Sequence, residues 1–438
     1  MNAVTPKHAT HTTIRSTPIT WRHVAAAKCI DRASSKGSHH VPHPSRAYFQ
    51  LRAPRLLIQV QLMTRTSRGL RANAELPLAL PLASGQSMPQ VGFGTWGVKP
   101  RDVDTSLRAA VAAGYRLFDL APVYNNQKAV GETLRVLQAE GAVTRDQLFL
   151  TSKVPPLDAC APGGVEASAR QTLRDVHTSY LDLLLVHWPF CVRNGSPTWP
   201  PPLSYQLGYS REQLRETWRA LEGLHASGAV RAIGLSNIGP HRLKALLRAP
   251  DLRVRPSVVQ VELHPYNQQA ELRAVCAAER IAVTAYSSLG SAARPDKYQD
   301  ASHPVLLEEP ALQRVATAHG ATPAATALAW AVRRGVAVIP KSTHAERVRA
   351  NLADTAALAP QLTRAELAAI DALERSHRFL TQARSAHLSL SLKHRAPPLS
   401  LSPPRLHHPN LDDPRVPALV CSRASWATRG RRGRRSRS

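Results

Sequence analysis

One alternation, running from residue 89 to residue 342, constrains what this chain can fold into. Short β-branched or apolar runs recur, and stretches of helical period lie between them. The runs are PQVGFG (89–94), RLFDLA (116–121), QLFLTSK (147–153), LDLLLVHW (181–188), VRAIGLSN (230–237), SVVQVEL (257–263), IAVTAYSS (281–288) and VAVIPKS (336–342). Runs of this length, bounded by turn residues, read as strands. Among the intervening segments are VDTSLRAAVAAGY, AVGETLRVLQAEG and REQLRETWRALEGLHASG. In the first, Val103, Leu107, Ala110 and Val111 share one helical face. Gly114, Gly141, Gly228 and Gly335 stand just before the next strand, where a helix C-terminus needs a positive φ. Repeated strand–helix units predict parallel strands with right-handed crossovers. Eight of them predict an α/β fold of the closed (β/α)₈ TIM-barrel kind, whose usual size of roughly 250 residues suits this core. An open doubly wound sheet is the competing fold. Ahead of the first barrel strand, LPLALPLASGQSMPQVG has turn residues between apolar runs and reads as a short hairpin.

The remaining chain is compositionally different. The formal net charge is +27 over 438 residues, and it is unevenly placed. Residues 1–74 hold 12 Lys/Arg and one acidic residue, and residues 376–438 hold 13 Lys/Arg and two acidic residues. The middle, 75–375, carries only +5, so the basic character belongs to the ends. Residues 1–74, rich in Thr, Ser, His, Arg and Pro and poor in acids, read as a disordered basic extension or an organelle transit peptide, with Met63 as an alternative start. Residues 376–438 read as a disordered Pro/Ser/Arg-rich tail. Its RGRRGRRSRS end is a like-charge run, for which nucleic-acid contact is the less favoured reading beside a solvated tail. A cytoplasmic location is expected, or a plastid or mitochondrion if 1–74 is a transit peptide. No apolar run is long enough to span a bilayer. The five cysteines, Cys29, Cys160, Cys191, Cys276 and Cys421, form no CxxC. They read as reduced thiols, neither a disulfide framework nor a zinc site.

Two motifs compete for a chemical role and fall short of it. Gly92, Gly94 and Gly97 make a formal GxGxxG with Asp119 at about the distance of a ribose-binding acid. Yet Trp96 is bulky, and Pro100 with Asp102 starts the helix only after the third glycine. GLSNIG has the wrong spacing for a nucleophile elbow. HExxH, a P-loop and an early HxH are all absent from the sequence, so metal-assisted hydrolysis and phosphoryl transfer have little support.

Four polar residues gather at the ends of successive strands. Asp119 ends the second and Lys153 the third. His187 ends the fourth, and Tyr124 follows the second. In a (β/α)₈ barrel, closure brings such residues together at the catalytic face. Singly, each has a plain structural explanation. Together they suit carbonyl reduction. A phenol is a poor acid at neutral pH, and a neighbouring ammonium lowers its pKa. A carboxylate holds that ammonium, and a histidine donates a hydrogen bond to the carbonyl oxygen. The hydride itself needs a cofactor.

Here the chain resembles the aldo-keto reductase family, through GFGTW (92–96), FDLAPVY (118–124), TSKV (151–154), LDLLLVHWP (181–189), VRAIGLSN (230–237), VVQVELHPY (258–266), TAYSSLGS (284–291) and IPKS (339–342). The resemblance runs from about 80 to about 375. It implies a barrel that binds NADPH without a Rossmann fold and reduces a small-molecule aldehyde or ketone, with no metal and as a monomer. It implies Asp119, Tyr124, Lys153 and His187 as catalytic residues, with Tyr124 the proton donor. Gly94, Thr95 and Trp96 would lie along the cofactor. Ser236, Asn237 and Gln260 would hold the nicotinamide amide, and Tyr286 would stack on its ring. Ser287, Leu289 and Ser291 would line the pyrophosphate. Lys341, Ser342 and Arg347 would meet the 2′-phosphate, and Asn351 the adenine. Trp96, Val123 and Trp188, with Tyr124 and His187, would form the substrate pocket. The family also includes cofactor-sensing binding subunits, so a catalytically weak NADPH-binding subunit is the alternative. The sequence departs from the family pattern at Gln127, Pro155 and Ile238, and after RFL (378–380), where the loop that shapes the family's pocket is expected.

Overall fold

The structure is a computed structural model that describes residues 78–193, 196, 201–291, 294 and 303–380. The expectations for residues 1–74 and for the tail from 381 onward lie outside these residues.

The described residues open with an antiparallel hairpin of β1 (Ala79–Pro81) and β2 (Ser87–Pro89). Eight parallel strands follow: β3 (Phe93–Gly94), β4 (Leu117–Asp119), β5 (Phe149–Val154), β6 (Leu183–Val186), β9 (Ile233–Ser236), β10 (Val258–Glu262), β11 (Ala282–Tyr286) and β12 (Val336–Val338). A second small hairpin, β7 (Cys191–Val192) with β8 (Gln206–Gly208), stands in the connection after β6. All eight runs read from the sequence contain a barrel strand. The order is sequential, and the sheet closes on itself. Val338 N–H donates to Gln90 O and Gly92 N–H to Val338 O, both at 2.8 Å. Closure excludes the doubly wound alternative. Two of the GxGxxG glycines are packed too closely for a side chain: a Cβ on Gly94 would lie 2.6 Å from Ile339 O at the seam, and one on Gly92 would enter the Leu117 side chain.

The described α-helices are α1 (Pro100–Ala113), α2 (Gln127–Ala139), α3 (Pro156–Ala159), α4 (Gly164–Asp175), α5 (Arg211–Ala226), α6 (Pro240–Leu247), α7 (Ala270–Ala278), α8 (Pro310–Ala318), α9 (Pro323–Arg333), α10 (Ala345–Leu358) and α11 (Arg364–Asp371). Helix α1 buries Val103, Leu107, Ala110 and Val111, the face its periodicity marks. It stops at Gly114, whose φ of 101° lets its N–H reach the carbonyls of Ala110 and Val111.

The core has two layers, because successive strand residues face opposite sides. Leu184 and Val186 pack outward under the helices with Phe118, Leu150, Ile233 and Leu235. Leu183 and Leu185 pack inward with Leu117, Phe149, Ala232 and Val258. Met88 and Leu82 of the first hairpin join this inner cluster, against strand residues such as Leu117, Phe149 and Leu183. The inner layer therefore begins apolar at the strand starts.

The expectation of reduced cysteines is overturned for Cys160 and Cys191, while Cys29 and Cys421 lie outside the described residues. Cys160, which caps α3, and Cys191, the first residue of β7, form a disulfide across 31 residues of sequence. Their spacing carries no signal, because the barrel alone brings together the connections that follow adjacent strands β5 and β6. Cys276 is a buried free thiol, as expected.

Candidate active site

The inward parity that starts with Leu117, Phe149, Leu183, Ala232 and Val258 continues along the strands. Two residues on from Leu117 comes Asp119, and four on from Phe149 comes Lys153. Four on again reaches His187 from Leu183 and Ser236 from Ala232, and two on reaches Gln260 from Val258. At the C-terminal ends of the strands the inner layer thus turns from apolar to polar, with every member carried by a neighbouring strand.

Lys153 is the hub. Its side chain is fully buried, and Nζ donates to Asp119 Oδ2 at 2.5 Å, to Leu120 O at 3.0 Å and to Tyr124 Oη at 3.1 Å. Three acceptors use its three N–H groups. The other carboxylate oxygen of Asp119 accepts from Gln260 Nε2 at 2.7 Å. Tyr124 sits in the helical turn Pro122–Tyr124 after β4, which ends at Asn125 with φ of 57°. Its ring meets the His187 ring edge-on, with centroids 5.8 Å apart. Asp119, Tyr124, Lys153 and His187 are therefore one contiguous group.

A second network adjoins the first. Asn237 Nδ2 donates to His187 O at 2.9 Å, and Tyr286 Oη donates to Asn237 Oδ1 at 2.6 Å. Ser236 Oγ donates to Gln260 O at 2.9 Å. Ser287 and Ser291, joined by a 2.7 Å hydroxyl bond, follow β11. Asn237, Ser287 and Ser291 all have left-handed backbones, with φ of 58°, 55° and 48°. Non-glycine residues in that region cluster at ligand sites, where the surrounding fold holds them. Tyr286, Ser287, Leu289 and Ser291 are half-buried, so this rim faces open space.

The remaining sequence-expected residues lie on the same rim or in the connection after β12. Gly94 ends β3, and Thr95 Oγ1 donates to Asp119 O at 2.8 Å. Trp96, Val123 and Trp188 are half-buried in the connections after β3, β4 and β6. Lys341 and Ser342 follow β12; exposed Arg347 and buried Asn351 are on α10.

The electrostatics differ from the sequence expectation in one respect. Lys153 was expected to acidify Tyr124. Burial dominates instead and pushes the phenol well above its ordinary value, with Asp119 and Tyr286 adding to the rise. Burial also lowers the Lys153 ammonium, against the pull of Asp119. His187 is driven well below the ordinary histidine range by burial and by Lys153, so its imidazole is neutral at pH 7. Burial lowers Lys341 as well, with Asp102 opposing; such a half-buried ammonium gains from an anion placed beside it.

Two supporting residues lay outside the sequence-derived set. Asn126 Nδ2 donates to both Thr95 O and Val98 O at 2.8 Å, tying the connection after β3 to the one after β4. Gln127, noted as a departure, is buried. It accepts from Ser152 Oγ at 2.7 Å and donates toward Asp175 at 3.2 Å, so it fastens β5 to the end of α4. The sequence signal for both is a polar residue just after a site turn, and for Gln127 also its departure from the family pattern. Among the described residues no His/Cys/Asp/Glu group could hold a metal ion, and no helix is long and apolar enough to cross a membrane.

Comparison with known proteins gives a consistent assignment. The sequence model of the Aldo/keto reductase family matches residues 90–375. The chain is similar to the bovine protein called aldo-keto reductase family 1 member A1, with 40% identity over 301 residues, 68% of this chain and 90% of the relative. The human protein of the same name is 42% identical over 272 residues, 62% of this chain and 82% of the relative. A Synechocystis protein called an aldo/keto reductase is 37% identical over 301 residues, 69% of this chain and 90% of the relative.

Proposed function

The chain belongs to the aldo/keto reductase family, enzymes that oxidise or reduce carbonyl and alcohol groups, and we propose that it reduces aldehydes or ketones to alcohols with NADPH, Tyr124 giving the proton. The observation that carries this reading is the hydrogen-bond chain Asp119–Lys153–Tyr124 at the mouth of the barrel.

The residues present fit a reduced nicotinamide dinucleotide. Asn237 and Gln260 offer amide groups, and Tyr286 a half-buried ring, within one connected network. Lys341 is a half-buried cation and Arg347 an exposed one, suited to a 2′-phosphate. The dinucleotide, when bound, supplies the hydride.

The chain's own groups do the rest. A neutral His187 donates a hydrogen bond to the carbonyl oxygen and orients it. Tyr124 stays protonated through the neutral range, because its buried phenolate is disfavoured. Its proton moves only when the oxygen beside it becomes an alkoxide, a far stronger base. The Lys153 ammonium then faces the phenolate as that charge forms. Asp119, held by Gln260, keeps the ammonium charged and aimed.

The test uses the full chain with a panel of aldehydes and ketones, following NADPH oxidation beside NADH oxidation. Carbonyl-dependent turnover with a preference for NADPH is expected. Tight NADPH binding without turnover of any carbonyl would replace the enzyme with the cofactor-binding subunit.

A further inference from the structure

Four residues past His187, the chain is covalently tied to the neighbouring connection. Cys160 ends the short helix α3, which follows the Lys153 strand β5. Cys191 opens the hairpin β7–β8, where it pairs with Gly208. Between His187 and Cys191 lie Trp188, Pro189 and Phe190. The Trp188 and Phe190 rings are 5.8 Å apart. Both cysteines line a narrow crevice with Trp188, Phe190 and Leu214. Its far wall is α5, where Thr217 Oγ1 donates to Ala159 O at 2.7 Å, one residue from Cys160. The disulfide thus joins the connection that follows the strand of Lys153, the proposed partner of the proton donor, to the segment carrying the proposed pocket wall Trp188.

We propose that Cys160–Cys191 is a reversible thiol–disulfide modification site that sets the position of Trp188 and so selects carbonyls by bulk. The selection rests on the reductase reading above; the modification itself does not. Its co-reactant is a dithiol, either a small molecule or a protein. Cys160 is half-buried and Cys191 only 8% exposed, so the incoming thiolate attacks the Cys160 sulfur. The Cys160–Cys191 bond breaks, and Cys191 leaves with the electron pair and takes up a proton. The second thiolate of the reductant then attacks its own sulfur in the mixed disulfide and expels Cys160, which is protonated in turn. The protein pair gains two electrons and two protons, and the reductant leaves as a disulfide.

The oxidised form holds the segment from Trp188 to Cys191 against α3 and narrows the pocket. In the reduced form this segment loses its tie to α3 and is held only through the β7–β8 hairpin, and larger carbonyls gain entry. The hydrogen bonds that join Lys153 to Asp119, Leu120 O and Tyr124 are kept in either form, because none of them involves a residue from 188 to 210. Turnover number for the smallest aldehyde therefore stays constant, and KM for bulky aldehydes changes.

The full-length protein is prepared after oxidised glutathione or after dithiothreitol, and alkylation at positions 160 and 191 is read by peptide mass spectrometry. The kcat and KM are measured with one short aliphatic and one aromatic aldehyde, together with Cys160→Ser/Cys191→Ser. Alkylation of both positions only after dithiothreitol is expected. The aromatic-to-aliphatic ratio of kcat/KM should rise on reduction by at least about threefold, within the range that pocket shape can discriminate. The double variant should give the reduced ratio whatever the treatment. Alkylation of both positions after oxidised glutathione overturns the modification site, and an unchanged ratio between authenticated forms overturns the selection. If neither form turns over any carbonyl, the reductase reading has failed instead, and the alkylation pattern still decides the modification.

Discussion

Lys153 shows what the candidate site costs and how the cost is met. A fully buried ammonium is tolerable only with a close counter-charge and full hydrogen bonding, and Asp119, Leu120 O and Tyr124 supply both. Asp119→Asn leaves that ammonium facing a neutral amide. We expect the change to destabilise the fold by about 3–5 kcal/mol, the usual penalty for breaking a buried pair. Chemical denaturation of the variant beside wild type measures it, and a loss under about 1 kcal/mol would mean the pair is more solvated than the structure has it. His187 gives a pH dependence of definite sign. Its folded pKa lies below the ordinary 6.5, so the unfolded chain binds more protons between the two values. Stability from this group is therefore full above about pH 6.5 and falls as pH drops through that window, by at most about 1.4 kcal/mol per pH unit. A His187→Gln variant should lose this slope in denaturation midpoints measured from pH 7 to pH 5. Much of this scale is legible in the sequence, since Asp119, Lys153 and His187 stand at the ends of successive strand-like runs, which a barrel gathers on one face. The direction of the Tyr124 shift is not, because burial depth is a property of the folded barrel and outweighs the neighbouring charge.

At the level of elements, the barrel seam and the loop staple are the features with measurable consequences. Gly94 ends β3 where the strand meets the backbone beyond β12, and a Cβ there would stand 2.6 Å from a carbonyl that cannot swing away. Gly94→Ala should cost about 1–3 kcal/mol through overpacking. An unaffected urea midpoint would show that the seam has slack. The disulfide closes a loop of 31 residues in separation, which in the chain-entropy description stabilises by about 4 kcal/mol. Reduction should lower the melting temperature accordingly, and Cys276 should not react in the native state because it is buried. The eight barrel strands were readable because each is an apolar run bounded by turn residues. The β7–β8 hairpin was not, since Cys191–Val192 and Gln206–Gly208 are too short to carry a period. The bridge was missed for a related reason: only the topology brings positions 160 and 191 together.

For the whole molecule, cofactor binding and stability are linked. Any ligand that binds only the folded chain raises its stability by about 2.7 kcal/mol at a hundredfold excess over Kd. NADPH should therefore raise the melting temperature more than an equal concentration of NADH. Lys341→Met/Arg347→Met should erase most of that difference, since a hydrogen bond to a charged group contributes about 1.5–3 kcal/mol. Equal shifts for both dinucleotides in wild type would remove the 2′-phosphate assignment. In the proposed reaction Tyr124, held by Lys153, hands its proton to a carbonyl oxygen at the mouth of this barrel. It is tested most directly by comparing Tyr124→Phe with wild type in the full-length protein, measuring NADPH affinity by fluorescence titration and aldehyde-dependent NADPH oxidation in parallel. Unchanged affinity with turnover reduced by about 10²–10⁴-fold is expected, the usual contribution of a positioned proton donor. Turnover within a few fold of wild type would contradict it.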